Sequence, residues 1–295
     1  MRVIRGRKAI VTGAASGIGR AIALALAREG SDLFLLDVDE SGVQAVAADA
    51  GRLGVEAIGL RCDLTQRAQI TAALRTLLDR WGGVDIVVNN AGVVYYGPTD
   101  RMTAEQWDWL LAINLHAPIQ IIRELLPVLK ERPEAHILNV CSIAGLVAGG
   151  RTAAYHVTKF GLVGFSEALR AEYARRGIGV TALCPGPVRT NLYRSGISGK
   201  GPAVPLPPRW ICASEEAVAR KAIRAIRRNR RLVLVTPLAH LLFNAKRFAP
   251  WLLDAMNRFK LRRRSRPVEA TDGRDQNATE QPRTTASPAG RREAA

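Results

Sequence analysis

The 295-residue chain has little cysteine, little histidine and no long uninterrupted apolar run. Its four cysteines, Cys62, Cys141, Cys184 and Cys212, are scattered, with no Cys-x-x-Cys pair and no His-rich neighbour. That argues against a disulfide framework and a zinc site, and it suits a reducing compartment. His116, His136, His156 and His240 have no carboxylate or thiol at ligand spacing, so no metal is expected and all four read as ordinary structural or surface residues. No apolar run reaches eighteen residues, which excludes a spanning helix. The opening stretch, MRVIRGRKAIVTGAASG, has no apolar segment of signal-peptide length. A cytoplasmic location is therefore expected.

Acid is scarce in one region only. Residues 1–219 carry 24 Lys/Arg against 20 Asp/Glu, residues 220–266 carry 15 against 1, and residues 267–295 carry 4 against 5. The formal charge of +17 is thus concentrated near the C-terminus and belongs to that region rather than to the body. A content of 47% hydrophobic and 23% charged residues is ordinary for a soluble globular chain, and the length suffices for one large, well-filled domain.

Short apolar runs alternate with longer helical patterns through the first 235 residues. Strands are expected at 8–12, 32–37, 55–63, 84–90, 135–142, 178–186 and 231–235. They are almost continuously apolar, as strands covered on both faces must be. Their alternation with Ala/Leu-rich helical segments predicts an α/β fold, a single doubly wound parallel sheet of about seven strands with helices on both faces. In such sheets ligands bind beyond the carboxyl ends of the strands. Residues 190–210, rich in Gly, Ser and Pro, read as a long loop of lid or binding type. The domains expected are 1–236 for the Rossmann-like body, 237–266 for a basic amphipathic helical extension, and 267–295 for a polar tail expected to be disordered.

IVTGAASGIGRAIALALA follows the first strand and opens the first helix. Gly13, Gly17 and Gly19 permit a tight turn and close helix–strand packing, and the helix N-terminus offers free N–H groups to a pyrophosphate. Asp37 ends the second strand, where a carboxylate can bond a ribose 2′-hydroxyl and repel a 2′-phosphate. No Arg or Lys occupies 14–16, so NAD is favoured over NADP. Asp63, after the third strand, is placed to accept from the adenine amino group. Asn89 or Asn90, in the NNAG of 89–92, can tie the loop backbone to its neighbours. Tyr155 and Lys159 lie four apart on one helical face. A cation beside a phenol favours the phenolate, and so brings a group of pKa about 10 toward neutrality.

TGAASGIG at 12–19, NNAG at 89–92, Asn114 in INL, Ser142, YHVTK at 155–159 and PGPVRT at 185–190 occur in one order at coherent spacing. In this the chain resembles the short-chain dehydrogenase/reductase family over roughly residues 5–235. The resemblance implies that Tyr155 exchanges a proton with the substrate oxygen, that Ser142 holds that oxygen, and that Lys159 supports Tyr155 and the nicotinamide ribose. It implies a water-linked relay supported by Asn114. It further implies cofactor contacts from Gly13, Ser16, Gly17, Ile18, Gly19, Asp37, Asp63, Asn90, Ala91, Gly92, Tyr155, Lys159, Pro185, Gly186, Val188 and Thr190. The activity implied is hydride transfer between a nicotinamide cofactor and a hydrophobic secondary alcohol or ketone. The alternative from a different class is a non-catalytic nucleotide-sensing or membrane-associated scaffold on the same fold.

In 236–266, Leu241, Leu242, Ala245, Phe248, Ala249, Leu252, Leu253, Met256 and Phe259 recur with helical spacing among basic residues, and Pro250 is expected to kink or divide the helix. One reading is an extra helix packed on the domain, either against the substrate cleft or against a sister subunit in a homo-oligomer. The other is an interfacial helix on an anionic membrane surface, which would make the protein peripheral there. Nucleic acid is disfavoured, because phosphate binding does not explain the bulky apolar residues.

Overall fold

The computed structural model describes residues 1–199, 204–252 and 255. The expectations for Leu253, Met256, Phe259, the basic run that follows them and the 267–295 tail lie outside the described residues.

Seven parallel strands form one sheet in the order β3-β2-β1-β4-β6-β7-β9. They are β1 (Lys8–Thr12), β2 (Asp32–Asp37), β3 (Ala57–Arg61), β4 (Ile86–Asn89), β6 (Ala135–Val140), β7 (Ile178–Cys184) and β9 (Leu232–Leu234). The fold is the doubly wound Rossmann-like α/β architecture. β6 and β7 are buried at every position, and β1 at all but its first residue, which is why these runs carry no polar alternation. Five of the seven strands are shorter than their apolar runs suggest. The ladder stops where Asn90, Cys141 or Pro185 turns the backbone away, so the residues expected to be chemical lie just past the strand ends.

Helices α1 (Gly17–Arg28), α2 (Glu40–Gly51) and α8 (Glu215–Arg227) cover one face, burying Ile22, Leu26, Val43, Val218 and Ile226 with Val11, Leu35 and Val88 of the sheet. Helices α3 (Arg67–Trp81), α5 (Ala117–Lys130) and α6 (Ala153–Tyr173) cover the other, packing Ile70, Leu77, Ile121, Leu125 and Leu169 on Phe34, Val87 and Ile137. Fully burying each such side chain is worth about 1.5–3 kcal/mol. α3 ends on Gly82, whose φ of 65° closes the helix in the left-handed conformation.

Two features were not foreseen. Helix α4 (Ala104–Leu111) runs into a π-helical turn, Ala112–His116, before α5 begins, and that turn carries Asn114. Secondly, β5 (Tyr95–Tyr96) and β8 (Ile197–Ser198) pair in parallel as a separate two-stranded ribbon. The segment expected to be loop thus holds a short α7 (Leu192–Ser195), β8 and a 3-10 turn at Arg209–Ile211.

α9 (Pro237–Phe248) follows the last strand, with the Thr236 hydroxyl accepting from Ala239 N–H at 3.1 Å and Pro237 in the first turn. The apolar stripe expected here is split between two faces. Ala239 and Phe243 pack with Leu162, Cys184 and Leu234, whereas Leu241 and Phe248 are 66% and 77% exposed. The cap sets how the helix leaves β9, and that angle decides which residues meet the domain. Helical backbone stops at Phe248 and resumes at Pro250, with the break at Ala249.

Candidate active site

The strand order reverses beside β1, which pairs with β2 on one side and β4 on the other. This switch point opens a crevice at the carboxyl ends of the strands. Gly13 and Gly17 lie in its floor with φ of 64° and 59°, a conformation glycine adopts without strain. A Cβ on Gly13 would come within 2.8 Å of Ala91 Cα, and one on Gly19 would overlap the Gly13 carbonyl. The turn therefore admits no side chain at 13 or 19, and the first turn of α1 lies directly against the end of β1. Among the cofactor contacts implied by the sequence, Ser16 is the N-cap of α1 in extended backbone, with no side-chain cap bond, and Ile18 packs partly buried beside the core.

The floor is braced from β4. Asn90 Nδ2 donates to the Thr12 and Gly13 carbonyls at 3.0 Å each, while the Thr12 hydroxyl accepts from Asn90 N–H at 3.0 Å and Ala91 N–H at 3.1 Å. Asn89 is buried in the sheet instead, donating to Asn139 Oδ1 at 2.9 Å. So Asn90 ties the loop, and the reading that left both open is resolved in its favour. Thr12 was missed: its only signal was a hydroxyl at the end of an apolar strand.

Asp37 accepts from Ala15 N–H at 2.9 Å and Asp39 N–H at 3.1 Å, one bond on each carboxylate oxygen. This clamps the carboxylate against the Gly-rich turn. The Asp63 carboxylate caps its own turn, with Oδ1 accepting from Thr65 N–H and the Thr65 hydroxyl at 2.9 and 2.8 Å. Gly92 lies beside Asn114 and Lys159. Pro185 accepts from Ile143 N–H at 2.8 Å through its carbonyl, Gly186 packs on Thr236, Val188 bridges to Ala213, and Thr190 faces Gly17 across the crevice.

The polar group expected to do chemistry gathers at the ends of β6 and α6. The Ser142 hydroxyl lies beside the Tyr155 phenol, near enough to lower it, and accepts from Ala144 N–H at 3.1 Å. Lys159, 3% exposed, donates to the Val140 carbonyl at 3.0 Å and holds its ammonium 5.7 Å from the Tyr155 ring centroid. Asn114, fully buried in the π-helical turn, accepts from Val93 N–H at 2.8 Å and donates to the Val93 carbonyl at 2.9 Å and to Thr158 Oγ1 at 3.2 Å. α6 is itself anchored through Asn139, which donates to Ser166 Oγ at 2.8 Å. One face of Tyr155 meets solvent, yet its hydroxyl lies inside the cleft. Burial pushes that phenol up, and the Ser142 hydroxyl opposes the shift. Burial pushes the Lys159 ammonium down, partly offset by the Cys141 and Cys184 thiols beneath it.

Tyr193 on α7 was also missed. Its phenol lies near enough to raise Tyr155 further. Tyr95, Leu110 and Ala154 form a small buried cluster, against which Tyr155 packs together with Val93, Trp107, Trp109 and Ile197. Among the described residues no group of His, Cys, Asp or Glu is arranged to hold a metal ion, and no helix is long and apolar enough to cross a membrane.

The family model for short chain dehydrogenases matches residues 7–199. The chain belongs to the short-chain dehydrogenase/reductase family. A D-beta-hydroxybutyrate dehydrogenase of Cupriavidus necator is 35% identical over 199 residues, 67% of this chain and 77% of the relative. A solved short-chain dehydrogenase/reductase of Burkholderia phymatum, in complex with NAD, superposes with a TM-score of 0.76 at 26% identity, covering 86% of this chain and 97% of that one. A metagenomic short-chain oxidoreductase in complex with NADP gives 0.67 at 28% identity, covering 79% and 97%. The protein is accordingly a short-chain NAD(P)-dependent oxidoreductase acting on a small molecule. The binding-only scaffold is not favoured.

The cradle fits a dinucleotide. Gly13 and Gly19 leave no room for side chains where the turn meets α1, the N-terminus of α1 is left without a side-chain cap, and Asp37 is held at the edge of the turn.

Proposed function

We propose that this short-chain dehydrogenase interconverts a hydrophobic secondary alcohol and its ketone, with Tyr155 as proton donor and acceptor and NAD as the preferred cofactor. The observation that carries the reading is the meeting of the Ser142 hydroxyl, the Tyr155 phenol and the Lys159 ammonium at the ends of β6 and α6. A bound nicotinamide supplies or accepts the hydride. Ser142 and Tyr155 hold the substrate oxygen between two hydroxyls. A phenol raised by burial keeps its proton ready to give to a developing alkoxide, while the lysine charge steadies the phenolate left behind. Asn114 holds the Val93 backbone and Thr158 in place beside Lys159, consistent with a relay position.

Support for an apolar substrate comes from the cluster on which Tyr155 packs, which also gathers the partly buried Val93, Trp107, Trp109 and Ile197. Support for NAD comes from Asp37, whose two backbone bonds hold the carboxylate at the turn, where a 2′-phosphate would meet like charge. The test is a dehydrogenase assay on a panel of lipophilic alcohols and ketones with each cofactor. Tyr155→Phe is expected to lower kcat about 10²–10⁴-fold, the usual worth of a positioned acid or base. Unchanged turnover in that variant would overturn the mechanism, and turnover with NADP far above NAD would overturn the reading of Asp37.

The reading extends to where the enzyme works. The face of α9 away from the domain exposes Leu241 and Phe248, and Trp251 and Leu252 just beyond it are 68% and 42% exposed. Residues 220–252 carry nine Lys/Arg and no acid, among them Lys246 and Arg247 at the end of α9. Bulky apolar residues beside unopposed positive charge complement an anionic lipid surface. A second copy of this chain would bring like charge against like charge, so the lipid surface is the occupant we assign.

A further inference from the structure

The imidazole of His156, the residue after Tyr155, is bonded through both ring nitrogens to the loop that separates Ser142 from α6. Nδ1 lies 2.7 Å from the Ala144 carbonyl, which can only accept, so Nδ1 carries the proton. Nε2 lies 2.9 Å from Gly149 N–H, which can only donate, so Nε2 carries none and also accepts from the Thr152 hydroxyl at 3.1 Å. The network thereby assigns one tautomer of the neutral ring.

The consequence reaches the catalytic serine through a single residue. The carbonyl of Ala144 is held by His156, and the N–H of Ala144 donates to Ser142 Oγ at 3.1 Å. A serine hydroxyl has one proton and two acceptor lone pairs. With one lone pair committed to Ala144 N–H, the other lone pair and the proton are directed toward Tyr155 and the substrate oxygen. We propose that His156 is a positioning residue for this reaction: in its neutral form it clamps residues 144–149 and, through Ala144, sets the orientation of the Ser142 hydroxyl. Protonation puts a hydrogen on Nε2 facing the Gly149 N–H, which removes the acceptor and opens the clamp.

Among the described residues, the charged groups that reach this loop are both cations. Lys246 of α9 donates to the Leu146 carbonyl at 2.6 Å and lies 4.6 Å from the centroid of Phe160, whose ring meets that of His156 edge to face at 6.5 Å. Arg151, at the loop's far end, lies 5.9 Å from the Tyr96 centroid. Neither offers an acceptor to a protonated imidazole. The Tyr155 phenol, next in the chain, is neutral over the range in which histidine titrates.

The inference rests on the proposed roles of Ser142 and Tyr155, so its test includes a readout independent of turnover. Ketone reduction is followed against pH for the wild type, His156→Ala and His156→Gln, Gln retaining one donor and one acceptor without titrating. The wild type is expected to lose kcat/KM on acidification with a one-proton dependence. His156→Ala is expected to be about tenfold lower throughout, the worth of one such hydrogen bond, and to lack that acid limb. His156→Gln is expected to recover at least part of the loss and to lack it also. In parallel, ring-nitrogen NMR of the wild type is expected to show the Nδ1–H tautomer, with amide exchange at 144–149 accelerating in His156→Ala. An unchanged acid limb in both variants, or an Nε2–H tautomer, overturns the proposal. Full activity in Tyr155→Phe would instead overturn the catalytic assignment and leave the NMR result to decide the clamp.

Discussion

The Gly-rich turn at 13–19 and the C-terminal helix at 237–248 both follow a strand, yet they are built on opposite terms. Around the turn, backbone groups answer to named partners within the chain: Asn90 on the Thr12 and Gly13 carbonyls and Asp37 on Ala15 N–H, with Ala91 close against Gly13. α9 is held along one side by Ala239 and Phe243 and shows Leu241 and Phe248 on the other. The turn is closed by its own chain, and its geometry is fully specified. The helix is closed by its chain on one side only, so the other side is available to something outside the protein. A motif is legible where the chain satisfies itself, and an open face becomes legible only as exposure.

Three measurements break or sharpen this contrast. The largest effect belongs to the closed interior. His136 is fully buried in β6, with Nε2 on Thr181 at 2.9 Å, and burial pushes its imidazole down to about 3. Because the folded value is depressed below the ordinary value of about 6.5, the unfolded chain binds the extra proton between the two. The contribution is present above pH about 6.5 and is lost as pH falls toward about 3. It amounts to about 1.4 kcal/mol per pH unit, and to about 5 kcal/mol over the window. Urea denaturation against pH should show this slope, and His136→Gln should flatten it. An equal slope in the variant would remove the assignment.

Next comes Gly19→Ala. Its methyl would overlap the Gly13 carbonyl, which is backbone and cannot rotate away. A loss of about 1–3 kcal/mol is expected from the overpacking alone, with dinucleotide affinity falling in the same variant. Thermal melts and fluorescence titration check the two effects, and wild-type values in both would show that the turn is looser than its contacts imply.

The smallest effect on stability is expected from the open face. Phe248→Ser with Trp251→Ser should change stability by no more than about 0.5 kcal/mol, because both side chains are already exposed. The same pair should abolish flotation of the full chain with vesicles containing phosphatidylserine at low salt, while the wild type floats with these and not with neutral vesicles. Equal flotation of the two proteins, binding to neutral vesicles alone, or a wild-type dimer that the substitutions dissociate would each overturn the lipid assignment. So would duplex DNA binding that competes fully with flotation.

Much of the sheet was legible because a strand buried on both faces leaves no polar positions, as β6 and β7 illustrate. The glycines and Asp37 were legible for a related reason: close approach at the turn and charge at the strand end restrict the residues that fit. Thr12, Tyr193 and His156 were not. Each acts through a partner distant in the chain or across a loop, Thr12 through Asn90, Tyr193 through Tyr155 and His156 through Ala144 and Gly149, and no local spacing announces such a meeting. The role of His156 as a surface or structural residue was the natural reading of an isolated histidine.

By itself the sequence determined the alternation of strands and helices, the cofactor turn, the Tyr155–Lys159 spacing and the excess of positive charge near the C-terminus. These follow from local rules: burial on both faces, positive φ at glycine, and 3.6 residues per helical turn. Only the tertiary structure decided which asparagine braces the turn, how deeply Lys159 is buried, that His156 holds the loop beside Ser142, and which side of α9 stays open. Those outcomes depend on distances between residues far apart in the chain and on how completely water is excluded, and neither quantity exists until the chain has folded.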